Sequence, residues 1–175
     1  MNLSERRLRS LVPTLDASPE EIAERLRAHG IGVSRIVPLR ELLEPIVVAR
    51  VESVEQHPNA DRLKICRVDD GSGELLQVIT GASNVEAGAY YPLFRSGTSL
   101  PNGTRIKRGK LRGEVSEGML GSPDELELGE GHEGLMTLTG DLVPGTPLPE
   151  VVDVEGVVFV LDGEPTDEEI VRALG

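Results

Sequence analysis

Aromatic side chains and cysteine are scarce in this sequence, which limits what the core can be built from and which sites the protein can carry. Aromatic residues make up 2% of the 175 residues, with two Tyr, two Phe and no Trp. The core must therefore rest on Val, Leu and Ile, and a site that stacks several bases on aromatic rings is disfavoured. The single cysteine, Cys66, excludes an internal disulfide and an all-cysteine metal site. Alternation over residues 64–68 favours a packed thiol, with Cys66 and Lys64 on one face of a strand.

Long apolar runs are also absent. No stretch approaches the roughly 18 residues that a membrane helix requires, and no apolar segment follows the polar start at residues 1–7. Charged residues account for 27% and hydrophobic residues for 38% of the chain, which suits a folded domain better than a disordered segment. We therefore expect a cytoplasmic protein of one or two domains that has no membrane partner.

No catalytic or metal-binding motif is recognisable. The three histidines, His29, His57 and His132, match no metal or acid–base spacing, although a site built from His57, His132 and nearby acids stays open. His29 lies at a predicted helix end, where a cation suits the helix dipole. Residues 71–73 lack the helix and lysine of a phosphate loop, and no Gly-X-Ser-X-Gly nucleophile turn occurs. The sequence thus predicts no catalytic residue, no metal and no cofactor.

Acidic residues are missing from one stretch of an otherwise acidic protein. The formal net charge is -12, and residues 151–175 hold seven acidic residues against one basic. Residues 95–112 instead contain six basic residues and not one Asp or Glu. A local reversal of sign indicates a contact surface for an anionic partner. The alternative explanation is an ordinary exposed sheet edge, where Lys and Arg discourage association.

Turn residues divide the centre of the chain into short strands. Alternating and β-branched runs predict strands over residues 46–54, 63–68, 74–80, 90–94 and 135–138, with short extended pieces at 105–107 and 111–112. The turn at residues 69–73 predicts a hairpin between the second and third of these strands. Five or six short strands without long helices between them favour an antiparallel barrel of OB type.

The two flanks of this centre read as helices and strands. Ser18, with Pro19 after it, predicts the start of an amphipathic helix that ends near Gly30. A capping box at Thr166 and Glu169 predicts a second helix at the end of the sequence. The other predicted elements are strands over 31–37, 151–154 and 157–161 and a helical turn over 39–44.

We expect the two flanks to share one core, since neither has enough apolar surface alone. The predicted architecture is a small split α+β domain, built from residues 1–45 and 149–175, with a barrel domain of residues 46–148 inserted in it. The predicted shared core consists of Ile22, Leu26, Val158, Val160, Ile170, Val171 and Leu174.

Three motifs lie within the predicted barrel. They are His57-Pro58-Asn59-Ala60-Asp61-Arg62-Leu63, Gly81-Ala82-Ser83-Asn84-Val85 and Leu111-Arg112-Gly113-Glu114-Val115-Ser116-Glu117-Gly118-Met119-Leu120. In this order and spacing, residues 46–140 resemble the tRNA-binding OB domain of the bacterial phenylalanyl-tRNA synthetase β subunit, of methionyl-tRNA synthetase appendages and of free-standing tRNA-binding proteins. Residues 11–31 also resemble the N-terminus of that β subunit, where the OB domain is inserted into a small α+β domain.

The resemblance implies a non-catalytic module that binds tRNA by shape and backbone. The chain departs from the synthetase subunit after residue 157, where the proline-asparagine-arginine stretch and the editing and core domains are missing. It therefore looks like a complete stand-alone paralogue that cannot aminoacylate or edit. The residues expected to contact nucleic acid are Asn59, Arg62, Lys64, Arg105, Lys107, Lys110, Arg112, Ser116 and Met119.

Alternatives remain for both the residues and the function. Ser116 could instead be a turn hydroxyl bonded to backbone, and Met119 a core filler. The competing function is a protein-interaction or dimerisation module that docks on a second copy or on a translation-related partner such as an aminoacyl-tRNA synthetase. With tRNA as the expected partner, no DNA specificity is expected.

Overall fold

The computed structural model describes all residues from 1 to 175. Its elements, in chain order, are β1 (Asn2–Ser4), α1 (Glu5–Leu11), α2 (Pro19–Ala28), β2 (Val33–Pro38), α3 (Leu39–Leu43), β3 (Val47–Gln56), β4 (Lys64–Asp69), β5 (Leu75–Thr80), β6 (Tyr90–Arg95), β7 (Gly109–Leu111), β8 (Glu114–Ser116), β9 (Gly118–Leu120), a 3-10 turn (Leu148–Glu150), β10 (Val157–Leu161) and α4 (Asp167–Leu174). None of the helices has both the length and the apolar character needed to cross a membrane.

The chain divides into two compact units. Residues 1–42, 101–103 and 154–175 form the first, here called the terminal unit. Residues 43–100 and 104–153 form the second, here called the barrel unit. The extent of the inserted domain proposed from the sequence, residues 46–148, stays a prediction.

In the terminal unit, both ends of the chain contribute strands to one antiparallel sheet. The strand order is β1-β10-β2, so a strand from the C-terminal flank lies between two from the N-terminal flank. Helices α1, α2 and α4 supply half of the buried side chains of its core. The split α+β architecture is thereby confirmed. The buried core residues are Leu3, Leu8, Val12, Leu15, Ile22, Ala23, Leu26, Ile31, Val33, Phe159, Leu161, Ile170, Ala173 and Leu174.

The two predicted helix starts are confirmed. Ser18 Oγ accepts a hydrogen bond from the Glu21 backbone N–H at 3.2 Å. Thr166 Oγ1 accepts from the Glu169 N–H at 3.1 Å, while Glu169 Oε2 accepts from the Thr166 N–H at 2.8 Å. These side chains satisfy backbone donors that have no partner inside the helix, which is why they fix the first turn.

Two predicted core residues on β10, Val158 and Val160, lie on the wrong face of the sheet for this core. Phe159 and Leu161 face the helices, so Val158 and Val160 lie on the opposite face of the sheet. Successive side chains of a strand alternate between faces. A run of five apolar residues offers both faces to a core, so the pattern alone did not determine which one the helices cover.

Two further predictions on the C-terminal flank are wrong. Val171 is 38% exposed because α4 buries the stripe that contains Ile170 and Leu174 instead. The strand predicted over 151–154 does not form, since the chain turns there and the Val152 N–H bonds back to Leu148 O at 3.2 Å.

The barrel unit contains a nearly closed five-stranded antiparallel sheet in the order β5-β4-β3-β6-β9. Residues before β9 close it against β5: the Glu117 N–H donates to Gln77 O, and the Gln77 N–H donates to Glu117 Oε2, both at 2.8 Å. This is the predicted barrel of OB type. Its buried core residues are Val47, Ala49, Val51, Cys66, Val68, Val78, Val85, Tyr91, Leu93, Leu120 and Leu135.

The second motif, residues 81–85, holds the segment at 135–138 against the barrel through Asn84. Asn84 Nδ2 donates to Leu135 O at 2.9 Å, and Asn84 Oδ1 accepts from the Leu135 N–H at 2.9 Å. Leu138 then makes one isolated pairing with Tyr90. The segment at 135–138 is therefore held by the Asn84 side chain and by single backbone hydrogen bonds, and the full strand predicted there does not form.

Candidate nucleic-acid interface

The third motif folds into a tight β-hairpin. Strands β7 and β8 pair with Leu111 opposite Glu114, which leaves Arg112 and Gly113 as a two-residue turn. Both turn residues have positive φ, 54° at Arg112 and 90° at Gly113, as a type I′ turn requires. For a side chain other than glycine this left-handed conformation costs about 1–2 kcal/mol. Something else must therefore stabilise the tip.

The first motif supplies that stabilisation through His57 and Asn59. The His57 ring is only 3% exposed, and its Nδ1 accepts the Asn59 backbone N–H at 3.0 Å. Since Nδ1 is an acceptor, Nε2 carries the proton and donates to Leu111 O at 2.8 Å. Asn59 Nδ2 donates to Arg112 O at 3.1 Å. We call this arrangement the His57 clamp, because it holds the hairpin backbone at Arg112 and at the residue before it.

Five of the six cations between residues 95 and 112 are exposed and in no ion pair. This set, called the basic arm, consists of Arg105, Lys107, Arg108, Lys110 and Arg112. The sixth cation, Arg95, donates from Nε to Asp70 Oδ2 and from Nη2 to Asp70 O, both at 2.8 Å. Its charge is thus neutralised inside the barrel unit, although the sequence alone placed it in the basic stretch.

Asp70 is adapted to this pairing. Burial would raise the pKa of this carboxyl, but hydrogen bonds from Ser72 and Arg95 outweigh burial and lower the pKa overall. The carboxylate therefore stays charged and holds Arg95 at neutral pH.

Three of the five cations of the basic arm line one side of a groove on the barrel unit. Two depressions, of about 250 and 430 Å³, share the side chains of Ile79, Leu111 and Met119. They therefore form one continuous surface, which we call the central groove. Its first end is lined by Arg105, Lys107 and Lys110. Its second end is lined by Ser122, Glu125, His132 and Glu133.

The structure brings most of the predicted site residues together, but not all of them. Those that line the central groove are Arg105, Lys107, Lys110, Ser116 and Met119. Those that line a separate depression of about 550 Å³ are Asn59, Arg62 and Arg112. Lys64 lines neither surface: it is half-buried in β4 and pairs in register with Gln56 and Thr80.

The Ser116 hydroxyl is committed to the barrel. Ser116 is 7% exposed, and its Oγ accepts from the Ile79 N–H at 3.1 Å and donates to Gly118 O at 2.9 Å. At Gly118 an added Cβ would lie 2.7 Å from Phe94 O, so the backbones approach as only glycine allows. Within the structure, the Ser-Glu-Gly part of the motif closes the barrel, and Ser116 shapes the groove without offering a free hydroxyl.

Several groove residues were missed by the sequence argument. Leu111 is 46% exposed, and a leucine between Lys110 and Arg112 in a short extended piece was the available signal. Arg108 belongs to the basic arm without lining the groove, and it was not among the predicted contact residues. No sequence signal linked His132 and Glu133 to the basic arm, because they belong to a separate loop.

The cysteine, His29 and the carboxylates form no further reactive or metal-binding site. Cys66 is fully buried, and burial raises the pKa of its thiol to about 11, with the Lys64 charge opposing the shift. His29 is exposed at the end of α2 and donates from Nδ1 to Arg25 O at 3.0 Å. No three His, Cys, Asp or Glu side chains lie close enough together to hold a metal ion.

Comparison with known proteins agrees with the motifs. The phenylalanine–tRNA ligase β subunit of Bordetella pertussis is 40% identical over 176 residues, which covers all of this chain and 22% of that protein. The β subunit of Nitratidesulfovibrio vulgaris is 39% identical over 175 residues, with the same coverage of both chains. The chain thus spans about a fifth of the length of the curated relatives it matches.

Among solved structures, a MetRS related protein from Pyrococcus horikoshii covers 59% of this chain and 87% of its own, with 20% identity and a TM-score of 0.43. The family model described as a putative tRNA binding domain matches residues 46–147, more than half of the sequence. The resemblance noted from the motifs is thereby confirmed: the chain belongs to the putative tRNA-binding domain family and, over its whole length, is homologous to part of the phenylalanine–tRNA ligase β subunit.

Proposed function

We propose that this protein binds tRNA through the basic arm and the surfaces beside it, recognising shape and backbone and performing no chemistry itself. The observation that carries the proposal is the set of five exposed cations in no ion pair, on one arm of a protein whose net charge is -12. Membership of a putative tRNA-binding family supports tRNA as the anion.

The physical basis is the release of counterions from phosphates. A lysine or arginine without a carboxylate partner can neutralise a phosphate, and the released counterions make affinity fall steeply with salt. The His57 clamp restrains the hairpin that bears Lys110 and Arg112 before RNA arrives, which lowers the ordering cost of binding. Paired RNA exposes its backbone and 2′-hydroxyls, so recognition by shape needs few base contacts.

We place this RNA-binding module in the cytoplasm, where it holds RNA without making or breaking a bond. No cofactor takes part. A synthetase or a second copy of the chain is the partner that the competing docking function would require.

The test is the affinity for total tRNA, measured by filter binding over a range of salt concentrations. The double variant Lys107→Glu with Lys110→Glu should weaken binding and reduce the slope of log K against log salt by roughly 1.4–1.8, the value for two lost phosphate contacts. The matched control is Arg35→Glu with Arg40→Glu, which makes the same charge change at two exposed arginines of the terminal unit.

Two results would overturn the proposal. Equal losses in both double variants would mean that only total charge matters. No binding of tRNA by the unaltered protein at low salt, together with a dimer in size-exclusion chromatography, would favour the docking module instead.

A further inference from the structure

The central groove has opposite charge at its two ends. Lys107 and Lys110 line the first end, where no carboxylate is among the lining residues. Glu125 and Glu133 line the second end, where no Lys or Arg is among them. Glu125 Oε1 already accepts from the Ser122 N–H and hydroxyl, at 2.9 and 2.8 Å. Glu133 is exposed and in no ion pair, so its carboxylate is available to a ligand.

Between the charged ends the floor is apolar. Ile79, Leu111 and Met119 line both depressions, and Leu111 is 46% exposed although it lies between two cations of the basic arm. Exposed leucines are common on protein surfaces, but this one lies in a groove with charges fixed on either side. The groove therefore fits a ligand that is anionic at one end, flat and apolar in the middle, and a hydrogen-bond donor at the other end.

We propose that the central groove takes one unpaired nucleotide of the bound RNA, with its phosphate at Lys107 and Lys110, its base on Leu111 and Met119, and the amino edge of the base at Glu133. This inference rests on the proposed function and adds to it a single-stranded element that shape recognition does not need. A nucleotide has the three required parts in the required order.

The charge of Glu133 determines which nucleotides fit. A carboxylate accepts hydrogen bonds and cannot donate them, so it pairs with the exocyclic amino group of cytosine. Uracil presents carbonyl oxygens on both sides of its one ring N–H, and a carboxylate repels them. A base inside a duplex already uses this edge in pairing and is stacked on both faces, so only an unpaired base can enter.

The first test compares two leucines of nearly equal exposure. Leu111→Ala removes part of the groove floor, whereas Leu75→Ala, at a residue that is 50% exposed, removes the same atoms from β5 outside the groove. Fluorescence anisotropy with a short oligocytidylate should show about fivefold weaker binding for Leu111→Ala, a modest base-stacking loss, and no change for Leu75→Ala. The backbone of Leu111 still accepts from His57, so the hairpin should remain intact.

The second test separates base recognition from charge. Glu133→Gln and Glu130→Gln both remove one exposed negative charge from the same loop, but only Glu133 lines the groove. Glu130→Gln should bind both oligonucleotides slightly more tightly, whereas Glu133→Gln should tighten oligouridylate binding and weaken oligocytidylate binding. Only Glu133→Gln should bring the ratio of oligocytidylate to oligouridylate affinity from about fivefold or more towards one.

The outcomes distinguish this inference from the proposed function. If tRNA binds but the oligonucleotides do not, at strand concentrations well above ~10⁻⁴ M, the groove takes no unpaired nucleotide and tRNA recognition stands. The inference is likewise overturned if Leu111→Ala matches Leu75→Ala, or if Glu133→Gln leaves the ratio as in Glu130→Gln. If neither tRNA nor oligonucleotide binds, the proposed function itself fails.

Discussion

The terminal unit and the basic arm differ in whether their cations form ion pairs. Three arginines of the terminal unit form ion pairs with carboxylates of the same unit. The five cations of the basic arm have no such partner. A net charge of -12 therefore says little about the local surface, because pairing decides which charges a ligand meets. The pairs of the terminal unit are Arg7–Asp167, Arg9–Glu5 and Arg172–Glu168.

The largest expected effect comes from neutralising the unpaired set. Replacing Arg105, Lys107, Lys110 and Arg112 by Gln should weaken tRNA binding by roughly 100-fold at about 0.15 M salt, since four phosphate contacts are lost. The free energy of unfolding should stay within about 0.5 kcal/mol, because these side chains are exposed and in no ion pair. Filter binding and denaturant titration measure the two quantities.

The paired arginines are the control for that experiment. Replacing Arg7, Arg9 and Arg172 by Gln should leave tRNA affinity unchanged. A loss of binding as large as that of the arm variant would mean that pairing does not distinguish the two sets.

The His57 clamp should influence both stability and binding. His57→Ala removes the buried imidazole that bonds Leu111 O and the Asn59 N–H, and because both bonds are only partly buried we expect a cost of about 1–3 kcal/mol in the free energy of unfolding. It should also loosen the hairpin and weaken tRNA binding. Thermal unfolding and filter binding check both effects.

Two conservative variants separate the two hydrogen bonds of His57, the one to Leu111 O and the one from the Asn59 N–H. His57→Gln can keep a donor at the Nε2 position, and His57→Asn can keep an acceptor at the Nδ1 position. Hydrogen exchange should show the Asn59 amide protected in His57→Asn and unprotected in His57→Gln, while tRNA affinity follows the Leu111 contact and is better kept in His57→Gln. His29→Gln, at an exposed histidine of the terminal unit, should change neither. If all three His57 variants bound tRNA as tightly as the unaltered protein, the clamp would not position the arm.

Asp70 and Arg95 test the one paired cation of the basic stretch. Asp70→Asn should cost about 1–2 kcal/mol of unfolding free energy at pH 7 and should not weaken tRNA binding. The folded-state pKa of Asp70 is lowered, so its contribution is present above the unfolded value, about 3.9, and is lost as pH falls through the lower folded value.

Acid titration of unfolding detects this linkage. The Asp70→Asn protein should lose less stability than the unaltered protein below about pH 4. Asp69→Asn, whose Oδ1 can still accept from the Gly71 N–H, is the control and should keep the acid dependence. An unchanged acid profile in Asp70→Asn would argue against the ion pair as a source of stability.

The smallest effect is expected at the surface pair Arg172–Glu168, whose side chains are 68% and 84% exposed. Glu168→Gln should change the free energy of unfolding by less than about 0.5 kcal/mol, since such pairs are well solvated and screened by salt. Thermal unfolding at low and high salt gives the measurement. A larger change would mean that the terminal unit depends on its surface pairs more than their exposure suggests.

Local chemistry made much of the fold predictable. The caps at Ser18 and Thr166 act within one helical turn, so they could be identified from adjacent residues. The strands around residues 69–73 were predictable for the same reason, because the turn and the alternation lie side by side in the sequence.

Contacts between distant residues were not predictable in this way. His57 and Leu111 are 54 positions apart, and neither sequence context indicates a hydrogen bond between them. On β3, a register shift between Val51 and Ser53 turns Val54 towards the core, whereas uninterrupted alternation would put it on the outer face. The acidic end of the central groove was missed because charge counted along the chain separates Glu133 from the basic arm.

The burial of Cys66 makes its thiol a probe of how often the barrel opens. It is the sole thiol, fully buried in the barrel core, and with a pKa of about 11 it is protonated at neutral pH. Thiolate is the form that alkylating reagents attack, so the folded barrel should be inert to them. The rate of Cys66 modification at saturating reagent would then report how often the barrel opens, and no other thiol would contribute to the signal.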